Sequence, residues 1–194
     1  MEMKEIEIAA RIEPLLTVAD LDAFPEDDGN RYELIDGELF VSRAPGLSHQ
    51  RVLNNLQFQL TSYLKANPIG ILVPGAGAIF SDYDAVIPDV AFVRNERWDE
   101  AVTGERFTGP LDIVIEILSP GSQNRQRDLV AKHKLYGKYG CREYWIIDTE
   151  NRSVLIFQLQ GSKLNDVAKL LGDDSITSQL LPGFALSPNT LFNL

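Results

Sequence analysis

The spacing of apolar and polar positions changes several times along this 194-residue chain, and each change marks an element. Val18, Leu21 and Phe24 recur at helical intervals behind Thr17, which predicts a short helix ending before Pro25. From Arg31 to Val41 the chain switches to strand formers on either side of Asp36-Gly37, the pair a type I′ turn prefers, and so predicts a hairpin. In its first arm Tyr32 and Leu34 point one way while Glu33 and Ile35 point the other, so Glu33 shares a face with an apolar residue. After Pro45-Gly46, residues Val52, Leu53, Leu56, Leu60, Tyr63 and Leu64 return to helical spacing as far as Asn67-Pro68. This predicts an amphipathic helix, capped by Ser48 and packed on a sheet.

Strand, bend and strand follow at 69–73, 74–77 and 78–80, and then a polar turn at 82–84. The apolar run Val86–Val93 holds one carboxylate, Asp89, directly after Pro88. Proline has no N–H for a ladder, so this strand starts or kinks there and leaves Asp89 on irregular backbone in apolar surroundings. Residues 94–109 keep no period and read as a connection with a helical turn. Asp112–Leu118 is a β-branched strand stopped by Ser119-Pro120-Gly121, and a helix runs from Ser122 to Tyr139-Gly140. Glu143–Asp148 and Ser153–Leu159 read as a buried strand and its hairpin partner, and the remainder as short edge elements and a tail. The expected fold class is mixed α/β: one mostly antiparallel sheet flanked by two principal helices, with additional β-hairpins. Residues 1–194 are expected to form a single domain with its core at about 31–159.

Candidate chemistry starts where a charge interrupts an apolar run. Glu116 does so in the 112–118 strand, and an ionised carboxylate buried there costs several kcal/mol unless a metal, a cation or hydrogen bonds compensate it. Asp128, Lys132 and Tyr136 share one face of the following helix, and a short turn would bring the Lys132 ammonium near Glu116. His49 lies in the first turn of the earlier helix, where a histidine more often caps or faces solvent than joins a site.

Composition narrows the choices. Hydrophobic content of 44% and charged content of 24% are ordinary for a globular protein, and a lone cysteine, Cys141, excludes an intrachain disulfide. No run is long and apolar enough for a membrane span, and the charged start is unlike a signal peptide, so a cytoplasmic, non-membrane protein is expected. The formal net charge of −10 argues against strong non-specific DNA binding. The basic run from Arg125 to Lys138 reads either as a solvated helix face or as a local basic patch.

Two acids on separate strands with an amine from the next helix would suit a magnesium-dependent phosphodiester hydrolase. By spacing alone they equally suit a structural carboxylate–lysine pair. Tyr32-Glu33-Leu-Ile-Asp36-Gly37-Glu38, Pro88-Asp89-Val90, Glu116-Ile-Leu-Ser119-Pro120, the Asp128…Lys132…Tyr136 spacing and Glu143–Asp148 together resemble the Uma2 family of restriction-endonuclease-like proteins, over roughly Tyr32 to Phe184.

That resemblance implies a PD-(D/E)XK nuclease fold and a metal-dependent endonuclease that hydrolyses DNA through a metal-bound water. Asp89 and Glu116 would be metal ligands, joined by the carbonyl of Ile117, and the ion would be Mg²⁺ or Mn²⁺. The family's lysine position after the second acid is Leu118 here, and Lys132 is its displaced equivalent. Glu33 would be an additional acid, and Asp128 and Tyr136 would orient Lys132. A homodimer is expected, with the Val154–Leu159 strand able to extend a sheet across it. The alternative is a non-catalytic binding or assembly module on a nuclease-like scaffold.

Overall fold

The computed structural model describes residues 14–25, 28–118 and 125–193. The expected turn at Ser119-Pro120-Gly121 and helix start at Ser122 lie outside them. Among the described residues the strands form two six-stranded sheets and a two-stranded one, where the sequence predicts one principal sheet. The first six-stranded sheet has the order β2-β1-β5-β4-β8-β7, built from β1 (Asn30–Ile35), β2 (Glu38–Arg43), β4 (Ala78–Ser81), β5 (Asp84–Val86), β7 (Val102–Thr103) and β8 (Arg106–Phe107). The other has the order β12-β11-β10-β9-β6-β3, built from β3 (Gly70–Pro74), β6 (Val90–Arg94), β9 (Ile113–Leu118), β10 (Glu143–Asp148), β11 (Ser153–Gln160) and β12 (Lys163–Leu171). Most pairs are antiparallel, but β9 and β10 run parallel, as do β4 and β8.

Local chemistry explains the hairpin and the switch between sheets. Asp36 and Gly37 have φ of 50° and 77°, the two left-handed residues a type I′ turn needs, and β1 pairs antiparallel with β2 around them. At Pro88 the run that reads as one strand divides: β5 ends at Val86 in the first sheet, and β6 begins at Val90 in the second. The missing proline N–H leaves no ladder bond to break there, and the Ile87 N–H is satisfied by Glu33 Oε1 at 2.7 Å.

The alternation of β9 and β10 gives the second sheet two apolar faces. On one face Ile113, Ile115, Ile117, Trp145 and Ile147 pack against Val52, Leu56 and Leu60 of α1 (Leu47–Ala66). The two-stranded sheet of β13 (Ile176–Ser178) and β14 (Leu181–Leu186) joins that core through Ile176, Leu181, Phe184 and Leu186. On the other face Val114, Leu118, Tyr144 and Ile146 pack against Ile35, Ala78 and Val86 of the first sheet. Glu116 points to this second face, so it lies between the sheets. Helix α1 starts from Gly46 as its N-cap, not from Ser48, and makes no side-chain cap bond.

The 94–109 connection contains a short helix α2 (Trp98–Ala101) and the β7–β8 hairpin. The basic helix is wound as a π-helix over Arg127–Lys132 and continues as α3 (His133–Lys138). A short helix α4 (Pro188–Phe192) lies at the end of the described chain. Two expectations fail at the C-terminal side. Strand β12, nine residues long, pairs along the whole of β11 where short edge elements are expected. Because β11 is flanked by β10 and β12, the Val154–Leu159 segment is an interior strand and has no free edge to offer a second subunit. Cys141 is buried, as expected of a small packing residue. Burial pushes its thiol up, and the Sγ–H donates to the Glu143 carbonyl at 3.0 Å.

Candidate active site

Strand register brings the two strand acids together. Val90 stands opposite Ile115 in the antiparallel β6–β9 pair, and continuing that register by one residue places Asp89 opposite Glu116 on the face between the sheets. Both line one cavity of about 220 Å³, with Glu33 from β1, Lys132 from the π-helical turn and Ile117.

Lys132 is the centre of the hydrogen bonding. Its Nζ donates to Glu116 Oε1 and to Glu33 Oε1, each at 2.8 Å, and all three side chains are buried. Tyr136 donates its hydroxyl to the same Glu116 oxygen at 2.8 Å. Asp89 Oδ2 takes the Ile117 N–H at 2.8 Å and lies 3.0 Å from His49 Nε2, so His49 belongs to the site and not to the solvent. Its other ring nitrogen, Nδ1, is buried with no partner among the described residues. Asp128 pairs with Arg127, whose Nε donates to Asp128 Oδ1 at 2.8 Å, and so orients Lys132 through no direct bond. Tyr136 likewise acts on Glu116.

Two residues here escape a sequence reading. Arg127 is largely buried and reaches Glu33 Oε2 at 3.6 Å. Arg31, half-buried, reaches Asp89 Oδ1 at 3.6 Å. Arg31 lies two residues before Glu33 on one strand and therefore on the same face, the signal that could have found it. Arg127 adjoins Asp128 in a run that reads as a solvated face.

The charges do not balance. Four buried carboxylates, Glu33, Asp89, Glu116 and Asp128, meet one buried ammonium and the guanidinium of Arg127, with Arg31 at the rim. Burial, together with the charges of Asp89, Asp128 and Glu33, pushes the Glu116 carboxyl up to about 8 despite the adjacent Lys132. Asp89 is buried too, but its bonds from His49 and Ile117 outweigh burial and hold it below the ordinary carboxylate value. Burial pulls Lys132 down, yet Glu116 and Glu33 more than offset it and keep the amine charged.

Among the described residues no three His, Cys, Asp or Glu side chains are grouped so as to hold a metal by themselves. The donor set nonetheless fits a hard divalent cation. Magnesium keeps several waters and binds through one or two carboxylates, and this cavity offers two carboxylates beside backbone at Ile117, in surroundings short of positive charge.

A family model described as "Uma2: Putative restriction endonuclease" matches residues 18–189. The chain belongs to the Uma2 family. A crystal structure of "a putative nuclease belonging to DUF820 from Anabaena variabilis ATCC 29413" aligns with a TM-score of 0.74 and 20% identity, covering 91% of this chain and 97% of that one. Its likeness bears on the fold, and it agrees with the mixed α/β, restriction-endonuclease-like architecture that the Uma2 motifs imply. No curated protein matches the chain. Among the described residues of this Uma2 protein no helix is long and apolar enough to cross a membrane.

Proposed function

We propose that this Uma2 protein is a magnesium-dependent endonuclease that hydrolyses DNA phosphodiester bonds at the Glu33–Asp89–Glu116–Lys132 cavity. The observation that carries this reading is the convergence of Asp89, Glu116 and Lys132 from separate elements on one cavity with too little positive charge of its own. Asp89, Glu116 and the Ile117 carbonyl would hold the cation. A bound magnesium ion supplies Lewis acidity, acidifying water and offsetting charge on the phosphate.

The chain's own groups do the rest. Lys132 is held charged by two carboxylates, so it donates and does not act as a base. It directs an N–H at the attacking water or at a phosphate oxygen as negative charge grows there. Tyr136 fixes the Glu116 carboxylate from the side opposite the cavity's rim. His49 and the Ile117 N–H hold Asp89 ionised. The reading takes residues 1–194 as one domain working in the cytoplasm, and it takes the active species as a homodimer formed through a free edge such as β2 or β12.

Purified protein is expected to cut DNA only with magnesium or manganese, and Asp89→Ala is expected to lower the rate about 10³-fold, roughly 4 kcal/mol of barrier. Absence of cleavage on duplex DNA, single strands and RNA alike would remove the catalytic reading.

A second reading has one observation in its favour. Lys132 already joins Glu33 and Glu116 without any ion, and the net charge is −10, as a non-catalytic binding or assembly module would allow. The two readings part on thermal stability: a cation site raises the melting temperature with magnesium, and a purely structural pair does not.

A further inference from the structure

A second cavity, about 310 Å³, opens on the other flank of the first turns of α1. Gly46 and His49 border the carboxylate cavity, whereas Ser48, Arg51 and Asn55 border this one. The two are also linked through the second sheet: Thr149, in the second cavity, donates its hydroxyl to the Leu118 carbonyl at 3.3 Å, one residue beyond Ile117 of the first. What separates them is the width of one helix with its side chains, about 10 Å. A nucleic-acid strand rises about 3.4 Å per nucleotide, so about three nucleotides span that width.

The chemistry of this cavity is opposite in sign to the chain as a whole. In a protein with 28 acidic and 18 basic residues, its lining carries Arg51 and Arg152 and no carboxylate. Elsewhere near the site arginines are neutralised, Arg125 by Asp148 at 2.8 Å and Arg127 by Asp128 at 2.8 Å. Among the described residues Arg51 and Arg152 make no ion pair. Arg152 is held in place by neutral groups: its guanidinium donates to Asn193 Oδ1 at 2.5 Å and lies 5.2 Å from the centroid of the Phe192 ring. The ordering of a cationic group ahead of ligand binding, beside the hydroxyls of Ser48 and Thr149 and the amide of Asn55, makes an anion seat.

We propose that this cavity is a phosphate subsite for a nucleic-acid strand, taking a backbone phosphate a few nucleotides from the one at the Asp89–Glu116 cavity. The proposal rests on the nuclease reading for the identity of the polyanion, and on Arg51 and Arg152 for the place where it is held. It also accounts for how a chain of net charge −10 holds a polyanion: by a short local run of unpaired guanidinium groups and not by a basic surface.

The test is fluorescence anisotropy of a labelled duplex and a labelled single strand titrated with the full-length protein in calcium, over a series of salt concentrations. The double variant Arg51→Ala/Arg152→Ala is expected to bind about tenfold or more weakly and to lose about two charges from the duplex salt slope, near 0.9 per phosphate contact. Arg106→Ala, altering an arginine of the distant β7–β8 hairpin, is expected to leave both unchanged. Arg51→Glu, at an exposed helix position, serves if the double variant fails to fold, and is expected to weaken binding further than Arg51→Ala alone.

Unchanged affinity and slope in the Arg51 and Arg152 variants would overturn the subsite, as would a parent protein that binds neither strand. Cleavage by the parent in magnesium is scored separately. Binding lost in the variants with no cleavage by the parent upholds the subsite and removes the nuclease reading. Cleavage by the parent with undiminished binding in the variants does the reverse.

Discussion

Strand β9 has a buried acid at each end, and the two are treated differently. Asp112, just before the strand, is fully buried and accepts from Arg97 at 2.6 Å, from Arg142 at 3.2 Å and from the Arg94 N–H at 2.8 Å. Two guanidinium groups and a backbone donor thus answer one carboxylate. Glu116, four residues on, has one ammonium that it shares with Glu33, a tyrosine hydroxyl, and the charges of Asp89 and Asp128 close by. Burying either acid costs several kcal/mol. At Asp112 the neighbours offset that cost and close the site; at Glu116 they leave a deficit that faces a cavity. The sequence pattern is nearly the same at both ends, an acid against β-branched residues, and the supply of cations tells a structural acid from a candidate functional one.

The contrast is most easily broken at its structural end. Asp112→Ala is expected to cost about 3–5 kcal/mol in urea unfolding, because it strands the partly buried Arg97 and an unpaired N–H, and the cost should be the same with and without magnesium. A small cost that varied with magnesium would erase the distinction. Next in size, Lys132→Met leaves Glu33 and Glu116 facing each other and is expected to lower stability by about 2–3 kcal/mol. Adding Glu33→Gln should recover much of it, and a double-mutant cycle should give a coupling of about 1 kcal/mol or more. Additive losses would mean that the three groups do not act as a unit.

The third test is pH. Glu116 is raised from its ordinary value near 4.5 to about 8. Across that window the folded chain keeps a proton that the unfolded chain has released, so its contribution to stability is full below about 4.5 and lost as pH rises through about 8. Glu116→Gln should flatten the fall, measured as the urea midpoint between pH 5 and 9. An equal fall in the variant would assign it to other groups.

Much of this was legible along the chain because some residues carry a local reason. Asp36-Gly37 announces its turn, Glu116 interrupts a strand that ought to be apolar, and the absent N–H of Pro88 marks a break. What the chain hides is long-range. Nothing local to 84–86 or 90–94 says that the break at Pro88 carries the strand from one sheet into another, since the pairing of β5 with β1 and of β6 with β9 is settled by partners far away. Strand β12 is hard to see because its outward positions are Lys163, Asn165 and Lys169, which read as a polar tail when the sheet beneath them is unknown. Arg31 and Arg127 look like any surface arginine. The π-helical turn that delivers Arg127, Asp128 and Lys132 to the cavity has no composition of its own.

The central claim is that the Glu116 end of β9 is short of positive charge and takes a divalent cation, whereas the Asp112 end does not. Isothermal titration of manganese into the parent protein and into Asp89→Asn, Glu116→Gln and Arg142→Ala tests it most directly. The account expects one saturable site in the parent and in Arg142→Ala, and no measurable heat of binding in the two carboxylate variants. A parent that binds no ion, or carboxylate variants that bind as tightly as the parent, would contradict it.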